Sequence, residues 1–308
     1  MSADPFAEFL LIASRLLWYA GILGVIGASA FRLFILPAVR LDAPTLDRAT
    51  ATAGIAGAAI LLAGVLARLY AQAYVSFGLD EPLTAELLWI VATDLPPWST
   101  GWMVQFAASV FSLAAFGRAR TGSPAAWTLA SLAALAVAAT APLTGHAVAQ
   151  ADWYTLPIVL QATHVLAAGA WIGGLFVMVA VGLSGLARHP SSDSAQVAAL
   201  VNAFSPFALG GAALLVLTGV GTTVLYLHTV ADLWATWYGR TLMVKIAAMA
   251  GVAVAGFVNW QHVRPRLSRA AAADVLRRTA TIELLLALAA LAITAVLVGL
   301  PQPGDVAG

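Results

Sequence analysis

Residues 161–176 read QATHVLAAGAWIGGLF, an apolar run with one histidine, His164. An imidazole at that depth in a membrane is costly unless it is paired or hydrated, and such residues default to functional suspects. The plainer alternative is a neutral ring that donates one N–H to a carbonyl of a neighbouring helix. Trp171 follows two turns on, near the same face, where packing alone accounts for it. Gly169, Gly173 and Gly174 supply the small-residue spacing that lets a second helix approach closely. His164 is therefore expected to face protein.

Four more soft or borderline ligands accompany it. They are His146 in PLTGHAVAQ, His228 in VLYLHTV, Met103 in STGWMVQ and Met243 in YGRTLMVK. Imidazole and thioether are ligands that copper takes readily, Cu(I) above all. Singly, each has an ordinary reading, as a solvated histidine or a core-filling methionine. Together at one level, above a deeper histidine, they read as a metal path. The chain has no cysteine, so thiolate sites and disulfides are excluded. A mixed His/Met set suits Cu(I), whereas a His set with Asp152 suits Cu(II). The balance tilts to Cu(I) at a buried station, because a single charge costs less to hold in low dielectric.

Charged residues form a second group. Lys245 is the chain's one lysine and is expected one to two turns inside a span. Arg68 reads as structural or as reaching for headgroups. Arg32 and Glu283 fall near the inner surface, where they can pair with each other or, like Arg68, reach for headgroups.

The elements that must position these residues follow from composition. Of 308 residues, 61% are hydrophobic and 9% charged, where a soluble domain carries about 25% charged. The fold class is therefore all-α, a polytopic membrane helix bundle. A helix needs about 20 apolar residues to cross, and eight stretches qualify: 9–36, 49–76, 98–117, 124–145, 154–186, 196–227, 240–262 and 278–300. Residues 83–97, ending at Pro96 and Pro97, are too short and read as an interfacial or re-entrant segment. The whole of 1–308 reads as one integral-membrane domain. The first stretch has acidic rather than basic residues before it, so it reads as a permanent span and not a signal peptide.

Loops set the orientation. Arg40 and Arg48, then Arg118 and Arg120, then Arg188, then Arg264, Arg266, Arg269, Arg277 and Arg278 occupy alternate connections. The others carry Asp80, Glu81, Glu86, Asp94, Asp152 and Asp232, with only Arg240 against them. Arginine collects on the cytoplasmic side, so both termini are expected outside. His164 then lies about ten residues, or roughly 15 Å, below the outer surface. A net charge of +1 gives no nucleic-acid surface, and no GxxxxGK[ST] pattern occurs, so no ATP-driven motor is expected in this chain.

With these residues in view, the chain resembles the copper resistance protein D (CopD) family of bacterial inner-membrane proteins. The resemblance rests on TGHA at 144–147, HVLAAGAWIGGL at 164–175, NAFSPFALGGAALLVLTGV at 202–220, WYGRTLMVKIAAM at 237–249, NWQHVRPRL at 259–267 and the last-span Glu283. Ala203-Phe204-Ser205 and Asn259-Trp260 stand where the family often has Arg-Phe-Ser and Asn-Arg. The resemblance implies copper handling at the bacterial inner membrane beside a small periplasmic copper-binding partner, with His146 and His164 as leading ligands. Three functions fit. One is a non-enzymatic permease taking copper from periplasm toward cytoplasm past Met103, His146, His228, Met243 and His164, with Trp171, Asp152, Lys245 and Glu283 in support. The others are a b-type haem cytochrome whose His164 recruits His146 or His228, and a subunit that holds copper for delivery without moving it across.

Overall fold

A computed structural model describes residues 4–38, 43–79, 81–145, 155–185, 194–227, 229–266 and 272–303. Among these residues every regular element is helical. Eight helices are long and apolar enough to cross a membrane: α1 (Pro5–Ile35), α2 (Pro44–Gly78), α4 (Trp98–Ala119), α5 (Pro124–Thr144), α6 (Leu156–Leu183), α7 (Ala195–Tyr226), α9 (Trp237–His262) and α10 (Val275–Leu297). Two shorter helices, α3 (Ala85–Thr93) and α8 (Asp232–Ala235), sit between them. Eight spans are present at the expected places, and some begin about a turn earlier than expected, as α2 does at Pro44.

α1 is the centre of the bundle and packs against α2, α5, α6 and α10. Lipid tails are as apolar as leucine, so helices in a membrane associate through close fit rather than through hydrophobic drive. The fit here is made by glycine. A Cβ on Gly24 of α1 would stand 2.9 Å from the Gly57 Cα of α2. Gly27 of α1 and Gly173 of α6 meet backbone to backbone, leaving no room for a methyl group on either. Gly169 presses on the side chain of Ile26 in the same way. The small-residue face read from the sequence thus receives α1. Around this centre lie Ile22, Val25, Phe31, Leu61, Val65 and Phe116, all essentially without solvent contact.

Most hydroxyl groups inside the spans bond within their own helices, while Ser29 of α1 donates to the Ala130 carbonyl of α5 at 3.3 Å. Thr50 donates to the Leu46 carbonyl at 2.7 Å, Ser112 to Ala108 at 2.7 Å and Thr222 to Thr218 at 2.8 Å. Without water, such back-bonding is how a lone hydroxyl avoids an unmet hydrogen bond.

α3 has nine residues, about 14 Å at 1.5 Å per residue, against about 30 Å of hydrocarbon. The Thr84 hydroxyl caps it by accepting from the Leu87 N–H at 3.3 Å. The Pro96–Pro97 bond is cis and precedes α4 directly.

One pair that the sequence allows does not form. Arg32 Nε meets Asp47 Oδ1 at 2.5 Å, and its guanidinium lies 5.5 Å from the centre of the Trp127 ring. Asp47 belongs to the first turns of α2, which packs along α1. Glu283 sits on α10 and is hydrogen-bonded by Asn259 of α9. Arg32 and Glu283 share a depth but serve different helix interfaces.

Candidate functional site

His164 lies on α6 and faces α7. Its Nδ1 is 3.0 Å from the Thr218 Oγ1. That hydroxyl already lies 2.7 Å from the Leu214 carbonyl and 3.1 Å from the Leu215 carbonyl, both on its own helix. A carbonyl only accepts, so the Thr218 proton goes to the backbone and Oγ1 accepts from the ring. This network assigns the proton of neutral His164 to Nδ1. Nε2 keeps its lone pair. That is how a ligating histidine is prepared: a hydrogen bond on one nitrogen fixes the tautomer and aims the other.

Glycines on α7 line this contact. Gly219 leaves ordinary contact distance beside the imidazole, its built Cβ lying 3.5 Å from His164 Cε1. Gly211 does the same for Trp171, with a built Cβ 3.1 Å from the Trp171 Cβ. Trp171 is buried in the core and acts as packing between α6 and α7. The half-buried Lys245 of α9 is close enough to act electrostatically on His164, so the two side chains share one region of the bundle. A π-helical turn over Gly169–Gly173 widens α6 just below the histidine, a feature common at functional sites.

The methionines are placed differently. Met103 on α4 is 41% exposed and Met243 on α9 is 38% exposed. α4 packs on α2 and α5, and α9 on α10, so the two side chains lie on helices with different neighbours. His146, Asp152 and His228 lie outside the described residues. Among the described residues, no group of three His, Cys, Asp or Glu side chains stands close enough to hold a metal ion.

A second polar cluster lies at the end of the bundle that carries the start of α1. The Arg68 guanidinium of α2 stacks 4.2 Å over the Trp18 ring. It donates to Gln105 Oε1 of α4 at 3.0 Å and to the Thr144 carbonyl of α5 at 3.5 Å. The Gln105 amide then donates to the Thr140 carbonyl at 2.9 Å and the Thr144 hydroxyl at 3.1 Å. These bonds hold the last turn of α5 two residues before His146. Arg68 therefore turns inward to protein instead of reaching for headgroups.

Thr218, Gln105 and Asn259 do not stand out in the sequence. Each is uncharged, and a count of ionisable groups passes over them. The available trace was a strong hydrogen-bonding side chain inside an apolar span, as in LVLTGV, WMVQFA and FVNWQH.

Comparison with known proteins gives the family. Residues 6–156 match the N-terminal domain of copper resistance protein D-like proteins, and residues 198–297 match copper resistance protein D itself. The chain belongs to the copper resistance protein D family. It is a multi-pass protein of the bacterial inner membrane. His164 lies between the two matched stretches, while Thr218, Lys245, Asn259 and Glu283 lie within the second. The copper transport protein CutJ of Bacillus subtilis (strain 168) is 26% identical over 208 residues, covering 66% of this chain. The match spans 37% of that relative's length, so the relative is much the longer protein. No solved structure matches the chain.

Proposed function

We propose that this protein is a copper permease, carrying copper from the periplasm toward the cytoplasm through a station built on His164. The observation that carries the reading is the Nδ1–Thr218 hydrogen bond, which leaves Nε2 as a fixed, unprotonated donor inside the bundle. A deep imidazole whose only role was packing would not need its tautomer set. Copper accepts imidazole nitrogen without requiring thiolate, which suits a chain with no cysteine. Family membership and the name of the Bacillus subtilis relative favour copper over other metals taken by imidazole.

In this reading the periplasmic face carries His146 and His228, with Met103 and Met243 at the same level as soft donors. A small periplasmic copper-binding protein delivers the ion there. His164 is the next station inward, and Cu(I) is the favoured charge state for it. Moving an ion makes and breaks only coordination bonds, so the role is that of a transporter rather than an enzyme.

The test is copper uptake into liposomes holding the purified protein. His164→Ala should lose most of the uptake at near-normal protein yield. His189→Ala, in the arginine-bearing connection outside the described residues, should transport like the parent. Equal loss in both would mean general destabilisation and sink the reading. Copper bound tightly with no uptake would leave a holding or delivery subunit, and a Soret band in the same sample would instead identify a haem protein.

A further inference from the structure

We propose that Glu283 and Asn259 form a proton-binding site, a carboxylic acid and an amide joined face to face, and that its loading is coupled to copper movement. The proton site stands on its own observations, whereas the coupling rests on the permease reading.

Glu283 is 4% exposed, in the half of α10 nearer Arg277 and Arg278. Asn259 of α9 donates its amide to Glu283 Oε1. Asn259 Oδ1 is buried and has no hydrogen-bond partner. A buried acceptor left alone costs about 1–3 kcal/mol. A carboxylate cannot help it, since it has no proton to give. A carboxylic acid can, because its O–H is a donor that Oδ1 lacks. Turning the amide over does not remove the need. Oδ1 would then face Oε1, and two acceptors can be joined only through a proton between them. Both amide orientations call for a protonated Glu283.

The surrounding charges agree. Arg277, on the same helix, donates to the Leu183 carbonyl at 3.3 Å. Arg32 of α1 is paired with Asp47, and Arg15 of α1 donates to the Ala295 carbonyl at the opposite end of α10. α6 carries no ionisable group other than His164. On α9, Lys245 is fourteen residues from Asn259, about 21 Å along the helix, and His262 lies one turn beyond Asn259. Among the described residues no cation forms an ion pair with Glu283. An ionised carboxylate held there would be a buried charge with an amide donor but no counter-charge, costing several kcal/mol.

Space and access suit a small occupant. Glu283 Oε2 lies against Gly256, where a built Cβ would be 3.5 Å away, so the α9 backbone comes close to the carboxyl group. Immediately past Asn259, a groove of about 500 Å³ is lined by Asn202, Trp260, Gln261, Arg264 and Pro265. In the proposed site this is the side from which the proton arrives. The step is simple: Glu283 carboxylate takes one proton from water on that side, becomes the acid and returns the proton when it ionises.

Two measurements test this on the full chain in lipid. Infrared difference spectra of the parent protein should contain a protonated-carboxyl band near neutral pH. Glu283→Gln should delete it, and Asn259→Leu should keep the band but shift it, because the acid loses its amide partner. No such band in the parent at any pH from about 5 to 8, or a band that Asn259→Leu leaves in place, overturns the proton site. In liposomes, a proton gradient should change the parent's copper uptake about tenfold and leave Glu283→Gln unresponsive. A parent indifferent to the gradient overturns the coupling. The carboxyl band without any copper uptake keeps the proton site and rejects the permease reading.

Discussion

His164 of α6 and Thr218 of α7 are joined by a 3.0 Å hydrogen bond in which the imidazole is the donor. The direction follows from Thr218, whose own proton is committed to a backbone carbonyl of α7. In the proposed copper station, Thr218 would therefore decide which nitrogen is offered to the metal without touching it. The bond also ties α6 to α7, with Gly219 of α7 beside the imidazole ring.

Removing that acceptor should loosen the station without emptying it. Thr218→Val keeps the shape and loses the oxygen, so His164 can take either tautomer. Partners of ligating histidines cost about 10–100-fold in metal affinity when removed. Copper titration of the purified protein should show a loss of that order for Thr218→Val, with Thr218→Ser close to the parent. Unchanged affinity in Thr218→Val would mean that Nε2 of His164 is not the ligand.

The eight helices were legible because crossing hydrocarbon demands about 20 apolar residues, a requirement written along the chain. The closeness of α6 to its neighbours was legible for the same kind of reason, since Gly169 and Gly173 advertise a packed face. Partner choice was not legible. Arg32 and Glu283 share a depth, and depth is all that counting residues along a span supplies. Which neighbour a side chain meets depends on rotation about the helix axis and on which helices are adjacent. Asp47 and Asn259 are the partners because α1 lies on α2 and α10 lies on α9. Uncharged partners such as Thr218 and Gln105 escaped for a different reason. They are cheap enough in a span to be common, so only their contacts distinguish them.

The contact between α1 and α6 should tolerate no side chain at its centre. Gly173 meets the backbone of α1 at Leu23 and Gly27. Gly173→Val forces the helices apart, and overpacking of this kind costs about 1–3 kcal/mol. Thermal unfolding in detergent should show a lowered midpoint. Gly117→Ala on α4, where nothing stands within 4 Å of the added carbon, is the control and should unfold at or slightly above the parent. Equal midpoints for the two variants would mean that α6 does not pack on α1 as described.

Gln105 should be worth more to stability than its lack of charge suggests. It accepts from Arg68 and donates to two groups at the end of α5. Gln105→Leu leaves the guanidinium short of an acceptor in a place with little water. An unmet buried partner costs about 1–3 kcal/mol, more when it is charged. The variant should lose thermal stability in detergent by that amount, while Thr128→Ala, whose exposed hydroxyl only bonds the Pro124 carbonyl of its own helix, should not. A Gln105→Leu protein as stable as the parent would show that water or lipid satisfies Arg68 instead.

Orientation is testable from the last residue. Eight crossings return the chain to the side on which it began, so both termini must share a side if every candidate helix spans. Arginine then says which side. The connections after α1, α4, α6 and α9, with the helix turns next to them, carry Arg40 and Arg48, Arg118 and Arg120, Arg188, and Arg264, Arg266, Arg269, Arg277 and Arg278. The intervening connections carry Asp80, Glu81, Glu86 and Asp94, then Asp152, then Asp232. Positive residues stay in the cytoplasm, so the acidic connections and both ends of the chain are expected in the periplasm. A reporter enzyme that works only in the periplasm, fused after Gly308, should be active, and one that fluoresces only in the cytoplasm should be dark. The same pair fused within the connection at Arg188 should give the reverse. A bright cytoplasmic reporter after Gly308 would invert the protein, put His146 and His228 on the cytoplasmic side and make the proposed direction of copper movement untenable.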